Sequence, residues 1–134
     1  MNLLLDTHIA IWALNDDAEL SQKARNLILD PFNIIYYSVI SVWEVHLKHN
    51  KNPKNIPFSA RDFSAACQMA GFVPLNLRNE HVLALAALHR PDEAKEHNDP
   101  FDRLLIAQAK VEQFLFITHD SLIPDYQESC IFSV

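Results

Sequence analysis

The sequence predicts an α/β fold in which a central parallel sheet is covered by helices on both faces. Its short apolar runs, such as Leu3–Leu5 and Leu115–Thr118, are continuous rather than alternating, which is typical of strands buried on both sides. Between these runs lie segments whose apolar residues recur at helical spacing. Strands that alternate with helices form parallel sheets with right-handed crossovers. We therefore predict one three-layer α/β/α domain over residues 1–134.

The first half of the chain is predicted to contain two strands and four helices. Pro31 ends the second helix, and Gly71 stands where a glycine commonly follows a helix. Two prolines and two asparagines between residues 51 and 57 predict a loop. The predicted strands are Leu3–Leu5 and Ile34–Tyr37, and the predicted helices are His8–Leu14, Ser21–Asp30, Ser38 or Ser41 to Asn50, and Ser59–Ala70.

The second half is predicted to contain two helices and up to three strands. Asp99 followed by Pro100 is typical of a helix start, because proline is favoured at the first helical position. Residues 90–98 are polar and include a proline, which predicts a loop. The predicted helices are Asn79–His89 and Asp99–Gln113, and the predicted strands are Val73–Leu77, Leu115–Thr118 and a possible last one at Cys130–Val134.

Composition excludes several classes of protein. The net charge of −6 argues against a basic nucleic-acid coat protein but not against a metal-dependent nuclease, in which acids concentrate at the site. A single glycine, Gly71, excludes glycine-rich dinucleotide and phosphate loops. Cys67 and Cys130 lie far apart in apolar segments, which favours reduced thiols over a disulfide. With no signal segment and no apolar run of about 20 residues, we expect a cytoplasmic protein without a membrane span.

Four acidic residues lie where the predicted strands end or the following helices begin. Asp6 follows Leu3–Leu5, Glu44 comes shortly after the second strand, Asp102 opens the last long helix, and Asp120 follows the strand after it. In an open α/β sheet these places face one crevice at the carboxyl ends of the strands. Carboxylates about 4 Å apart repel by about 4 kcal/mol at an effective dielectric constant near 20, so their convergence predicts a bound cation. Mg²⁺ prefers such oxygen ligands.

Each acid also has a structural interpretation as a helix cap or a first-turn acid. A cap stabilises a helix by about 1 kcal/mol, so acids occur at these places without a catalytic role. Capping does not require the acids to converge, however, whereas a metal site does. The groups with a capping interpretation are Asp6, Asp120, the pair Ser41 and Glu44, and the pair Asp99 and Asp102.

Three further side chains have two interpretations each. The Thr7 hydroxyl either contacts a metal-bound water or caps a helix. Arg103 either reaches a phosphate or pairs with an acid at the surface. Lys48, in the basic stretch from His46 to Lys54, either follows an RNA backbone or complements a helix dipole. Both tryptophans, Trp12 and Trp43, are predicted to lie in the core, with an interface as the alternative.

The chain resembles PIN-domain toxins of the VapC type over nearly its whole length. The block Asp-Pro-Phe-Asp-Arg at 99–103 is the most specific part of the resemblance. The segments that carry it are Leu3–Trp12, Leu20–Ile28, Ser38–Glu44, His97–Ala109 and Ile117–Asp120.

The resemblance implies a PIN-like fold and an endoribonuclease that depends on Mg²⁺ or Mn²⁺. It also implies the toxin of a toxin-antitoxin pair, with a cognate antitoxin as partner, RNA as substrate and commonly a homodimer. By position, Asp6, Glu44, Asp102 and Asp120 are the metal-binding and catalytic acids, and Asp99 is an auxiliary acid or only a cap.

Two other functions stay open from the sequence. A PIN-like module that binds proteins without catalysis is one, although the presence of all four acids weighs against it. A Mg²⁺-dependent phosphatase with Asp6 as covalent nucleophile is the other. That chemistry resembles the haloacid-dehalogenase family, which needs a second aspartate two residues later, where this chain has His8.

Overall fold

The structure confirms the predicted α/β/α architecture. The computed structural model describes residues 1–134, which form six α-helices and five strands. The strands are β1 (Asn2–Leu5), β2 (Ile34–Ser38), β3 (Val73–Leu75), β4 (Leu115–Thr118) and β5 (Ile131–Ser133). The helices are α1 (Thr7–Leu14), α2 (Gln22–Leu29), α3 (Val39–Lys51), α4 (Ala60–Met69), α5 (Asn79–Leu83) and α6 (Pro100–Glu112). Two short 3-10 helices span Ala84–Ala87 and Ile123–Tyr126.

All five strands are parallel and lie in the order β3-β2-β1-β4-β5. The central strand β1 pairs with β2 on one side and β4 on the other; Leu3 lies opposite both Ile35 and Leu115. Strands β2 and β3 are therefore added on one side of β1, and β4 and β5 are added later on its other side. Ligands in open α/β sheets bind at such a reversal of strand order, outside the carboxyl ends of the strands.

Both faces of the sheet are buried, as the continuous apolar runs predicted. The side chains of Leu3 and Leu5 pack with α1, α2 and α4, whereas Leu4 and Phe116 pack with α6 on the opposite face. All four of these side chains are fully buried. Because burying one such side chain stabilises the fold by about 1.5–3 kcal/mol, the central strands hold the loops that follow them in place.

Helix α3 begins earlier than a capping box at Ser41 and Glu44 would require. The N-cap is Ser38, whose hydroxyl accepts from the backbone N–H of Ile40 at 3.0 Å. Ser41 lies fully buried inside the helix, so the capping-box interpretation of Ser41 and Glu44 is wrong. The chain passes from β2 into α3 without a loop, and Ser38 serves as the last strand residue and the cap.

The helix predicted over Asn79–His89 is shorter than expected. Its α-helical part ends at Leu83, and a 3-10 turn over Ala84–Ala87 follows. Leu88 then adopts an extended conformation and is only 5% exposed, so the chain leaves the helix to bury this side chain. Strand β3 also ends early, at Leu75, and Pro74 is tolerated because β3 is an edge strand.

One predicted core residue lies at the surface. Trp43 is 49% exposed and packs edge-to-face against Phe101, with ring centroids 4.9 Å apart. Trp12 is half-buried and packs against the core, as predicted. None of the helices is both long and apolar enough to cross a membrane.

Candidate active site

The carboxyl ends of β1 and β4 open onto a pocket of about 260 Å³ that collects the predicted acids. The only cationic side chain of Lys or Arg type that lines it is Lys48. The acids that line it are Asp6, Glu44, Asp99, Asp102 and Asp120. Residues separated by more than a hundred positions thus meet at the point where the strand order reverses.

Asp6 is positioned by β1 and β4, the adjacent strands between which the strand order reverses. It follows β1, caps α1 by accepting from the backbone N–H of Thr7 at 2.8 Å, and accepts from the Thr118 hydroxyl at 2.7 Å. Burial raises the pKa of Asp6 to about 7, and the charges of Glu44 and Asp120 act in the same direction, against the two hydrogen bonds. The carboxyl is therefore held in one orientation but is poorly stabilised as an anion.

Thr118 connects two of the acids and was not identified from the sequence. Its hydroxyl donates to Asp6 and accepts from the backbone N–H of Asp120 at 3.1 Å. Asp120 in turn accepts from the backbone N–H of Leu122 at 2.8 Å, which fixes the turn after β4. This turn is not a helix N-cap, because the next 3-10 helix begins only at Ile123.

Glu44 is buried on α3 and held by two hydrogen-bond donors. The Thr7 hydroxyl lies 2.7 Å from Glu44 Oε1 and 2.8 Å from the Ser41 hydroxyl. Since a carboxylate only accepts, Thr7 donates its single proton to Glu44 and accepts from Ser41. Lys48, one turn later, forms an ion pair with the other oxygen of Glu44. Thr7 therefore positions Glu44 and does not cap α1, which is the role of Asp6.

Asp99 and Asp102 share the first turn of α6. Asp99 is the N-cap and accepts from the backbone N–H groups of Phe101 at 2.9 Å and Asp102 at 3.2 Å. Burial, together with the negative charges of Asp6, Asp99, Glu44 and Asp120, raises the pKa of Asp102 to about 8. Asp99 is thus a cap that also adds negative charge to the pocket.

His97 is a member of the site that sequence reasoning missed. Its Nε2 lies 3.1 Å from Asp102 Oδ2, and its Nδ1 lies 2.7 Å from the Tyr126 hydroxyl. The donor atoms of His97, Asp102 and Asp120 all lie within 4.8 Å of one another. The sequence signals for His97 are its place two residues before the helix cap and its position at the start of the family-like block 97–109, and Tyr126 is brought to it by tertiary packing.

Arg103 does not form the predicted pair with an acid, and its contact with a phosphate stays a prediction. Its guanidinium lies over the Tyr126 ring, 5.8 Å from the centroid, and approaches the backbone oxygen of Leu85 at 3.4 Å. It has no carboxylate partner and does not line the acidic pocket. Its role is to support Tyr126. The guanidinium of Arg90 also lies over the Tyr126 ring, 4.9 Å from the ring centroid.

The donors of the pocket fit a hard divalent cation. Carboxylate oxygens are the ligands that such ions prefer. The raised pKa values of Asp6 and Asp102 mean that the fold gathers more negative charge than its own hydrogen bonds stabilise. A cation held by these oxygens would remove that conflict, whereas capping alone would not produce it.

Fold and site together agree with the comparison of this chain with protein families. The chain belongs to the PIN domain family, whose model matches residues 3–128. Nucleases of this family are hydrolases that act on nucleic acids and typically use divalent metal ions.

A solved structure shows the same fold. The chain is similar to a chain in the crystal structure of VapBC2 from Rickettsia felis bound to a DNA fragment from their promoter. The two share 15% sequence identity, with a TM-score of 0.66, over 100% of this chain and 98% of the other. No curated protein matches the sequence.

Proposed function

We propose that the chain is an endoribonuclease that depends on Mg²⁺ or Mn²⁺ and is the toxin of a toxin-antitoxin pair. The observation that carries the proposal is the convergence of Asp6, Glu44, Asp102 and Asp120 in one pocket, with two pKa values raised by burial and mutual repulsion. Membership in the PIN family supports nuclease chemistry. The likeness to a chain in the structure of VapBC2 bound to promoter DNA supports the toxin-antitoxin setting.

The burial and hydrogen bonds of each acid indicate its role in binding the cation. Asp6 and Asp102 are the main metal ligands, because burial leaves both in need of a counter-charge. Asp120, half-buried next to His97 and Asp102, completes the set on the β4 side. Glu44 is held by Thr7 and Lys48 with its oxygens fixed toward the pocket. The bound cation supplies Lewis-acid activation of water and charge stabilisation at phosphorus.

The remaining groups orient these ligands. Thr118 bridges the Asp6 carboxylate and the backbone of Asp120, which fixes the two residues relative to each other. Tyr126 holds the His97 ring, and the ring holds Asp102. Such supporting hydrogen bonds typically change metal affinity or activity by about 10- to 100-fold when removed.

Cleavage of single-stranded RNA is expected only when a divalent cation is present. A purified sample should cut a labelled RNA with Mg²⁺ or Mn²⁺ and should lose this activity in EDTA, because without the cation the acids repel the phosphate and no Lewis acid activates water. Gel analysis of end-labelled fragments measures it. Equal cleavage in EDTA would contradict metal dependence, and cleavage of DNA but not RNA would contradict the substrate.

Two exposed apolar surfaces support the proposed partners. A groove of about 720 Å³ between α1, α2 and α4 carries Leu29 and Met69, which are 78% and 89% exposed, and it suits a segment of the antitoxin. On α3, Trp43 and Leu47 lie one helical turn apart and are 49% and 43% exposed, and on α5 Leu83 is 67% exposed; these apolar side chains support contact with a second copy of the chain. Exposed apolar clusters of this kind mark protein interaction sites.

The proposed homodimer predicts a simple change in mass. Leu83→Asp places a charge on the α5 surface and should convert the dimer into a monomer of 15.4 kDa, because a buried unpaired charge is strongly unfavourable. Light scattering coupled to size exclusion measures the mass. Met69→Asp, in the groove between α1, α2 and α4, is the matched control, and this variant should stay dimeric. A monomeric parent protein would refute the homodimer.

A further inference from the structure

One side of the acidic pocket is formed by aromatic rings that the proposed metal chemistry does not use. His8 and Trp12 lie one helical turn apart on α1, and His119 directly follows β4. The ring centroid of Trp12 is 6.1 Å from that of His8 and 5.8 Å from that of His119. These three rings form a continuous surface beside the acids, which we call the aromatic wall.

The aromatic wall is attached to the same backbone segments as the acids. His8 lies two residues after Asp6, and His119 immediately precedes Asp120. The His119 ring is also fixed by a hydrogen bond from Nδ1 to the backbone oxygen of Val134 at 2.6 Å. The distance between the wall and the acids is therefore set by β1 and β4, not by a mobile surface loop.

The exposure of the three rings suits a flat ligand. Trp12 is half-buried and packs against the apolar core, which holds its indole in place. His8 and His119 flank it and are exposed to solvent. The indole plane meets the two imidazole planes at 54° and 72°, so a planar aromatic group can stack on the face of one ring and contact the edge of another.

The charge of the pocket indicates why a nuclease would need such a surface. The chain carries a net charge of −6, and Lys48, the only Lys or Arg that lines the pocket, is already paired with Glu44. Attraction between phosphates and basic side chains, which dominates most nucleic-acid binding, is therefore weak at this site. Stacking between a base and an aromatic ring does not depend on net charge and supplies affinity of its own.

We propose that the aromatic wall stacks the nucleobase next to the cleaved phosphodiester and so determines where a single strand lies in the pocket. This inference rests on the proposed nuclease function. It assigns His8, Trp12 and His119 to substrate binding, with a single-stranded nucleic acid as ligand, since bases in a duplex are already stacked on each other.

Tryptophan fluorescence provides a direct test. The chain has two tryptophans, so Trp43→Phe leaves Trp12 as the only tryptophan, which can be excited selectively over the tyrosines. With Mg²⁺ present, adenosine monophosphate should quench Trp12 saturably, whereas ribose 5-phosphate, which lacks the base, should not. His119→Ala should weaken the adenosine monophosphate affinity by roughly 5- to 100-fold. His89→Ala, at an exposed histidine outside the pocket, is the matched control and should leave the affinity unchanged.

Cleavage kinetics separate this inference from the function on which it rests. His119→Ala should raise KM for a short RNA and leave kcat nearly unchanged, because stacking binds the ground state and the transition state alike. Equal quenching by the two probes, or an unchanged affinity and KM in His119→Ala, would overturn the aromatic wall even if RNA is cut. Base-dependent quenching without any RNA cleavage would support the wall and overturn the nuclease proposal.

Discussion

Asp102→Asn is expected to reduce RNA cleavage by at least about 10³-fold. Asparagine keeps the size and one oxygen of the side chain, but it removes the charge that would bind the cation. Loss of a supporting group around a metal typically reduces activity by about 10- to 100-fold, so loss of a ligand should exceed that range. Asp6→Asn should have an effect of similar size, because Asp6 and Asp102 occupy the same buried pocket. End-labelled RNA under single-turnover conditions measures the rate.

Asp92→Asn is the matched control for this substitution. Asp92 is an exposed acid that does not line the acidic pocket, so the same chemical change there should leave cleavage within about twofold. Circular dichroism establishes that the variants are folded. Cleavage by Asp102→Asn at the rate of the parent would show that this acid does not bind a required cation.

The metal-free protein is expected to lose stability as the pH rises from about 6.5 to 8. The pKa of Asp102 is raised to about 8 and that of Asp6 to about 7, so the folded state keeps protons that the unfolded state has already lost. Where the folded state binds more protons, the free energy of unfolding falls with pH. For Asp102 this amounts to about 2 kcal/mol over that interval.

The lower limit of the interval, pH 6.5, is chosen to reduce the opposing contribution of His97 to the free energy of unfolding. Burial lowers the pKa of His97 below its usual 6.5, so this ring stabilises the fold increasingly as the pH rises towards that value. Glu112, whose pKa is lowered mainly by its hydrogen bond from Arg78, acts only in acid, below its usual 4.5. Above pH 6.5 Glu112 no longer contributes and the opposing contribution of His97 fades as the unfolded imidazole loses its proton, so the pocket acids dominate.

Urea unfolding in EDTA at several pH values tests this expectation. Asp102→Asn should be more stable than the parent at pH 8 and should show a flatter dependence on pH, because it removes the buried charge. Mg²⁺ should stabilise the parent at pH 8 and affect Asp102→Asn much less. A free energy of unfolding that is constant from pH 6.5 to 8 in the parent would contradict the electrostatic description of the pocket. Asp92→Asn again serves as the control.

These two expectations have one physical origin. A fold that gathers carboxylates without enough donors is less stable than it would be with neutral side chains, and a bound cation would offset this loss of stability. Thr118 and Thr7 supply the few hydrogen bonds that keep Asp6 and Glu44 oriented in the meantime. Function and instability in the metal-free state thus come from the same atoms.

The layer order and the place of the acids were predictable because they follow from local patterns. Leu3–Leu5 is continuous and apolar since β1 is central, and the parallel topology then brings Asp6 and Asp120 to one edge. The helix starts at Ser21 and Ser59 were also predictable, because each cap accepts from a nearby backbone N–H.

Contacts between distant residues were not predictable in the same way. His97 belongs to the site because Tyr126, 29 positions later in the chain, fixes its ring. Thr118 belongs to the site because its hydroxyl donates to Asp6, 112 positions earlier in the chain. Ser38 and Ser41 both fit a helix cap in sequence, and only the tertiary structure decides between them: Ser38 accepts from the backbone N–H of Ile40, whereas the Ser41 hydroxyl is bonded to Thr7. Trp43 looks like a core residue, but its helix turns it outward against Phe101.

The most direct test of a shared cation site is a crystal soaked in Mn²⁺ and measured for anomalous scattering. The expected result is a peak within bonding distance of carboxylate oxygens from both Asp6 and Asp102, with Asp120 or a nearby donor completing the shell. No peak in that pocket at saturating Mn²⁺, or a peak bound only by acids elsewhere on the surface, would contradict the proposed metal centre.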